Sequence, residues 1–371
     1  MDIQKVTLHI INMELVTPFG TSYGTYYDRQ SILVEAEDEN GCIGWGEVVA
    51  FSQPWYTEET VQTALHILED FLIPIVLQHK IEHPSEVALL FSVIKRNNMA
   101  KAGIEGALWD LYAQRSKQSL ATALGGTKQE IEVGVVVGLD TLSNMLKKME
   151  QYAEEGYQRF KVKIKPENDY ELLKGIRQAF PHLPLMADAN SAYTLENLEQ
   201  LKRLDDFGLM MIEQPLADND FLEHAMLQKE MVTPICLDES IHSLEDARVA
   251  VSLGSCKIIN IKPGRVGGLT EAIRIHDHCK RHHLPVWCGG MLETGISRVQ
   301  NVALASLPNF TIPGDISASS RHWEQDIIMP PVILEKGKVI VPQNIGLGHI
   351  VDRERLREVT VRTLEFSKEN R

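Results

Sequence analysis

The sequence predicts an α/β fold: a (β/α)8 TIM-type barrel beside an α+β capping domain built from the N-terminal part and the C-terminal tail. Three observations carry this expectation. The chain has 371 residues, enough for a barrel of about 250 residues and a second domain. From Glu130 onward, short apolar runs alternate with helical patterns, the rhythm of parallel β/α units. Before about residue 125 the order is different, strands first and helices second, which is an α+β arrangement.

Each element has its own signal. VTLHIINMEL alternates as a strand, and TPFGTSYGTYYDR, rich in Gly, Thr and Tyr, reads as a mobile loop. SILVEAEDENGCIGWGEVV reads as a hairpin with Glu39, Asn40 and Gly41 at the turn. Three helices follow in ETVQTALHILEDFLIPIV, SEVALLFSVIKR and AGIEGALWDLYAQRS. LGGT at 124–127 marks a boundary, so the expected division is 1–125 for the cap, 126–325 for the barrel and 326–371 for the C-terminal return. Barrel strands are predicted at 131–137, 159–165, 184–188, 209–213, 234–238, 257–262, 285–290 and 311–315. The last unit is weak, because NVALASL supports only a short helix. The strand-like PPVILEKGKVIVP near the end is expected to rejoin the first domain.

Bulk properties narrow the partners. The net charge is −14 with no basic tract, which argues against nucleic acid. The five cysteines are scattered, without a CxxC, as in a reducing compartment. The start lacks the layout of a signal peptide, and no apolar run approaches the roughly 18 residues of a membrane span. A cytoplasmic protein without membrane contact is the expectation.

Three acidic residues each end an apolar run. They are Asp188, Glu213 and Asp238, at intervals of 25 and 25 residues. At the C-terminal ends of consecutive barrel strands they would stand together as a hard-cation site, suited to Mg²⁺ or Mn²⁺. Helix N-caps facing solvent are the plainer reading of each acid taken alone. In RFKVKIK, Arg159, Lys161, Lys163 and Lys165 share one face, and Phe160, Val162 and Ile164 the other. With the apolar face on helices, the basic face looks into the barrel, where the carboxylates would balance it. A solvated basic edge strand is the alternative. Lys262 ends KIINIK on the sixth strand, across the barrel from the second, so Lys163 and Lys262 would flank a bound substrate. GRVGG at 264–268 lacks the residues of a phosphate loop, HDHCKRHH reads as a solvated helix face, and GMLETGIS is not a nucleophile elbow.

These residues resemble the enolase superfamily in its muconate-lactonising-enzyme subgroup, over nearly the whole chain. The K-x-K signature appears as Lys161-Val162-Lys163, the metal trio as Asp188, Glu213 and Asp238, and the strand-six lysine as Lys262. DANSAYTL, IEQPL, TPICLDESI, NIKPGRVGG, PVWCGGMLETG and ALASLPNFTIPGDISAS resemble the family of o-succinylbenzoate synthases and N-acylamino acid racemases. Dipeptide epimerases of the subgroup are expected to carry D-x-D on strand eight, where this chain has Asp315-Ile316-Ser317. The resemblance implies a modified (β/α)8 barrel and Mg²⁺, with Mn²⁺ as a substitute. It implies dehydration of a small-molecule carboxylate in menaquinone biosynthesis, or racemisation of N-acylamino acids by the same two lysines. A third reading is a metal-keeping barrel that only binds. In the synthase, Lys163 would be the base, Lys262 would stabilise the enolate and Lys161 would balance charge. Substrate choice is expected in the cap loops 17–24 and 51–56, with Phe19, Gly289, Gly290, Met291 and Ile316 bordering the substrate. A homo-oligomer is compatible with the chain.

Overall fold

The computed structural model describes residues 1–21 and 24–370. Its N-terminal part is an antiparallel meander of β1 (Ile3–Thr21), β2 (Gly24–Asp38) and β3 (Ile43–Val48). The alternation of VTLHIINMEL puts Val6, Leu8 and Ile10 on one buried face. β1 and β2 are longer than composition predicts, because their pairing resumes at Phe19↔Tyr26 and Gly20↔Thr25. The expected mobile loop is therefore a two-stranded ribbon for its described residues, while Ser22 and Tyr23 lie outside them. Thr and Tyr are strand formers, and here they outweigh the glycines.

β3 lies against the helix Asn98–Arg115 at backbone contact. A Cβ at Gly46 would fall 2.0 Å from the Gly103 carbonyl oxygen, and one at Gly44 would fall 2.2 Å from that of Ala107. Only glycine permits this approach. The helical run Val61–Gln78 is long and apolar enough to cross a membrane, contrary to the expectation from composition. It carries Glu69 and Asp70, however, and buries Leu68, Leu72, Ile73 and Val76 in the cap core. Its middle, Leu68–Leu72, is a π-turn that precedes Pro74, whose missing N–H a regular helix would not accommodate.

Next come β4 (Glu130–Glu132), β5 (Gly134–Val137), β6 (Arg159–Lys163), β7 (Leu185–Asp188), β8 (Ile212–Glu213), β9 (Ile235–Leu237), β10 (Ile258–Ile261) and β11 (Val286–Cys288). β5 to β11 form one parallel sheet in sequential order. The segment 311–315 does not form a regular eighth strand. It is reduced to the bridge Val133↔Gly314, with a second bridge, Val286↔Phe310, just ahead of it. Two backbone bonds still close the wall, Gly134 N to Gly314 O at 2.7 Å and Asp315 N to Cys288 O at 2.9 Å. Pro313 has no N–H for a ladder, and its carbonyl accepts the Arg159 side chain instead at 2.7 Å.

Alternation along these strands sorts the side chains. Phe160, Val162, Leu185, Ile212, Ile235, Ile259 and Val286 face outward into a core shared with the helices. Met186, Met211, Cys236, Ile258 and Trp287 form a separate cluster inside. The tail adds β12 (Ile328–Met329), β13 (Lys338–Ile340), β14 (Ile350–Val351) and β15 (Thr360–Ser367). β13 pairs with β4, and Val332, Val339, Val341 and Leu347 pack in the barrel's outer core. Among the described residues of the tail, β15 alone joins the first sheet, antiparallel to β1.

Candidate active site

The inward residues of the barrel stack in layers. At the lower level the Arg159 guanidinium lies 4.7 Å from the Trp287 ring centroid. It donates to Asp315 Oδ1. Above it, Lys161 Nζ stands 2.6 Å from Asp315 Oδ2, 3.1 Å from Glu213 Oε2 and 3.5 Å from Asp188 Oδ2. Burial opposes the Lys161 charge, but these three carboxylates outweigh it and hold the ammonium well above the usual lysine range. At the mouth, Lys163 Nζ donates to Asp188 Oδ2 at 2.7 Å and to Asn190 Oδ1. Lys262 Nζ donates to Asp238 Oδ2 at 2.8 Å and to the Tyr56 hydroxyl at 2.9 Å.

Strand register brings these groups together. Lys163 pairs with Asp188, Asp188 with Glu213, and Glu213 with Cys236, whose inward neighbour two residues on is Asp238. Asp188, Glu213, Asp238, Lys161 and Lys262 are all buried. Lys163 is the accessible member, its side chain 34% exposed. Lys165 does not join them: the strand ends at Lys163, and the Lys165 ammonium lies out beside Glu167 at 3.8 Å.

The carboxylates disturb one another. Burial first, then Asp188 and Asp238, raises Glu213 from 4.5 to about 8. Burial and the same two aspartates raise Glu239 to about 7. Burial acts the other way from the cations on Asp238, yet Arg265 and Lys262 prevail and hold it below the usual range. Among the described residues, no three His, Cys, Asp or Glu side chains are gathered tightly enough to hold a metal ion. Each acid of the trio instead turns an oxygen toward an ammonium or guanidinium group. The donor set nevertheless fits a hard divalent cation: three carboxylates share one wall, all oxygen, and two of them raise the third. Among the described residues, the buried Asn260 Oδ1 beside them also finds no partner.

Several members were not legible as site residues. Arg265, within the glycine-rich turn, donates to Asp238 Oδ1, to Asn260 O at 2.6 Å and to Ile241 O at 2.7 Å. Asn260 donates to Glu213 Oε1 at 2.8 Å. Its inward parity on KIINIK, shared with Lys262, was the available signal. Asp315 marked only the end of a strand in the sequence, yet it anchors both Arg159 and Lys161. Tyr56 ends the cap loop 51–56 expected to shape substrate choice, but nothing in the sequence placed its hydroxyl on Lys262.

The residues expected to border a substrate fall into three groups. Gly289 is at the site, since a Cβ there would fall 2.5 Å from Lys262 Cε and 2.6 Å from Asn260 Oδ1. A Cβ at Gly290 would meet the Asp315 carbonyl oxygen at 2.6 Å. Met291 packs in the cap core, and Ile316 is fully buried in the barrel's outer core. Phe19 is half-buried on the ribbon opposite Tyr26, which stacks on Trp55 with centroids 5.7 Å apart. The HDHCKRHH stretch departs from a simple solvated face: His276 is buried and accepts from Asn309 N at 3.0 Å.

Known proteins share this architecture along the full chain. Residues 4–125 match the N-terminal domain of mandelate racemase / muconate lactonizing enzyme, and residues 144–355 match the enolase C-terminal domain-like model. An o-succinylbenzoate synthase of Bacillus subtilis is 56% identical over 368 residues, covering 99% of both chains. An N-succinylamino acid racemase of an Amycolatopsis species is 46% identical over 362 residues, covering 97% of this chain and 98% of the other. The crystal structure of an enolase-superfamily member from Listeria innocua superposes with a TM-score of 0.97 at 45% identity, covering 99% of each chain. With a capped parallel barrel, carboxylates at its strand ends and matches of this extent, the chain belongs to the mandelate racemase / muconate lactonizing enzyme family of the enolase superfamily.

Proposed function

We propose that this chain is an o-succinylbenzoate synthase of menaquinone biosynthesis. It dehydrates 2-succinyl-6-hydroxy-2,4-cyclohexadiene-1-carboxylate to 2-succinylbenzoate. The observation that carries the reading is the pair of mouth lysines: Lys163 on Asp188 and Lys262 on Asp238, from β6 and from the end of β10, with the carboxylates between them. Relatives named as o-succinylbenzoate synthases from Bacillus subtilis to Listeria innocua, 45–56% identical, support the choice of reaction. Five unpaired cysteines support a cytoplasmic setting.

Asp188, Glu213 and Asp238 would hold Mg²⁺, or Mn²⁺ in its place. The cation would supply Lewis-acid stabilisation to the substrate carboxylate and the charge that develops on it. The protein's own groups do the rest. Lys163, the accessible lysine, removes the proton α to the carboxylate. It returns that proton to the departing hydroxyl, which leaves as water on the same face. Lys262, fixed as a cation, stabilises the enolate from the opposite side. Lys161 neutralises the inner carboxylates, and Asp315, itself anchored by Arg159, holds it in place. Tyr56 and Trp55 close the mouth from the cap and restrict water. We place residues 1–125 and the end of the tail in one capping unit and the catalytic groups in the barrel.

Racemisation of N-succinylamino acids is the second reading, favoured by the same opposed lysines and by the Amycolatopsis relative. The test is kcat/KM for dehydration with Mg²⁺ against racemisation of N-succinylphenylalanine. Dehydration ahead by about 100-fold, or about 2.7 kcal/mol, supports the synthase. Equal or faster racemisation sinks it as the principal activity. Lys163→Ala should lower kcat for dehydration by about 10³-fold with the thermal midpoint and Mg²⁺ affinity intact. Full turnover in that variant would refute the assignment of the base.

A further inference from the structure

The cap reaches the lysine pair through one hydroxyl. Tyr56 ends the cap segment 51–56, and its oxygen accepts from Lys262 Nζ at 2.9 Å and from Arg265 Nη1 at 3.0 Å. The Lys262 ammonium also lies over the Tyr56 ring, 4.7 Å from its centroid. The other Lys262 bond goes to Asp238 Oδ2 at 2.8 Å, but Asp238 is a proposed metal ligand whose oxygens the cation would share. Tyr56 is therefore the anchor that no metal draws away. It is itself held by the cap. Trp55 packs edge-on against it at 6.3 Å, and Trp55 stacks on Tyr26 of the β1–β2 ribbon at 5.7 Å. The Tyr26 hydroxyl donates to Gln53 Oε1 at 3.1 Å. A continuous set of contacts thus runs from the ribbon to the ammonium of Lys262.

We propose that Tyr56 is a positioning residue for Lys262: through its hydroxyl, the seating of the cap sets where the ammonium stands over the substrate. This rests on the lysine-pair reading above. A flexible four-carbon stem with one remaining anchor would sample orientations that miss the reacting carbon. Gly289 admits the stem at this place, because a Cβ there would fall 2.5 Å from Lys262 Cε.

Tyr56→Phe tests the proposal, since it keeps the ring and removes only the oxygen. Two readouts separate positioning from general damage. The first needs no substrate: acetylation of Lys262 by acetic anhydride in the Mg²⁺-loaded protein, read by peptide mass against Lys161. The ratio should rise by about tenfold or more in the variant, as expected for loss of one hydrogen bond to a charged group. The second is exchange of the α-proton of N-succinyl-D- and N-succinyl-L-phenylalanine in D₂O, because the two enantiomers present that proton to opposite lysines. Exchange of the enantiomer facing Lys262 should fall about tenfold, and that of the other by less than about threefold. An unchanged acetylation ratio overturns the proposal. Equal losses for both enantiomers also overturn it, because a loosened cap would act on both faces. If the wild-type protein neither dehydrates nor exchanges, the functional reading fails, while the acetylation ratio still decides the role of Tyr56.

Discussion

Glu213 shows at the scale of one residue why this site suits a cation. It is fully buried, accepts from Lys161 and Asn260, and still has its carboxyl raised from 4.5 to about 8 by burial and by two neighbouring aspartates. The folded value lies above the unfolded one, so the native state binds more protons between those limits. In metal-free protein this group's penalty is absent below about pH 4.5, grows as pH rises, and is complete above about pH 8. Thermal midpoints measured from pH 5 to 8 should fall in metal-free protein, and Glu213→Gln should flatten the trend. Saturating Mg²⁺ should flatten it too, since the cation takes the proton's place. A midpoint equally pH-dependent in Glu213→Gln would show that the slope arises elsewhere. The trio was legible in the sequence because each acid ends an apolar run, and strand ends are visible in one dimension. Arg265 was not, because nothing local says that a residue of a glycine-rich turn will fold back onto Asp238.

At the scale of elements, geometry rather than charge sets the limits. β3 and the helix Asn98–Arg115 approach so closely that Gly46 has a carbonyl oxygen where a side chain would start. Gly46→Ala should lower stability by about 3 kcal/mol or more, because the contact is backbone and cannot yield by rotating a side chain. Chemical denaturation checks this, and a loss under about 1 kcal/mol would mean that the strand shifts freely. The lysine strand was legible for a related reason: a period of two needs only the sequence, and Arg159, Lys161 and Lys163 do line one face. The strand expected at 311–315 is not formed; the segment closes the wall through the bridge Val133↔Gly314 and two backbone bonds. Pro313 cannot donate to a ladder, and Arg159, remote in sequence, takes its carbonyl.

For the whole molecule, the question is how the cap is tied to the barrel. Two buried glutamates do much of it. Glu47 accepts from Thr294 N and Oγ1 ahead of the helix Gly295–Ala305. Glu105 accepts from Leu269 N and Thr270 N at the start of Leu269–Arg281. Each cap acid thereby satisfies orphan donors of a barrel helix. Covalent continuity adds a third tie, because β15 returns to pair with β1 from Lys5↔Ser367 to Ile11↔Thr360. Ending the chain at Val359 should leave β1 as an open edge, lower the thermal midpoint by several degrees and promote aggregation, as read by light scattering. A monomeric truncation with an unchanged midpoint would mean that this strand is dispensable.

The sequence by itself determined the barrel rhythm, the strands-then-helices order ahead of it, and the row of carboxylates opposite two lysines. Those features are periodic or sit at strand ends, so spacing alone reveals them. Only the tertiary structure decided which groups complete the site. Tyr56 meets Lys262 across 206 positions and Arg159 meets Asp315 across 156. It also decided that Met291 and Ile316 are packed away while Gly289 stands at the mouth. Such contacts depend on how the cap seats and how the barrel closes, and long-range packing leaves no periodic trace in the chain.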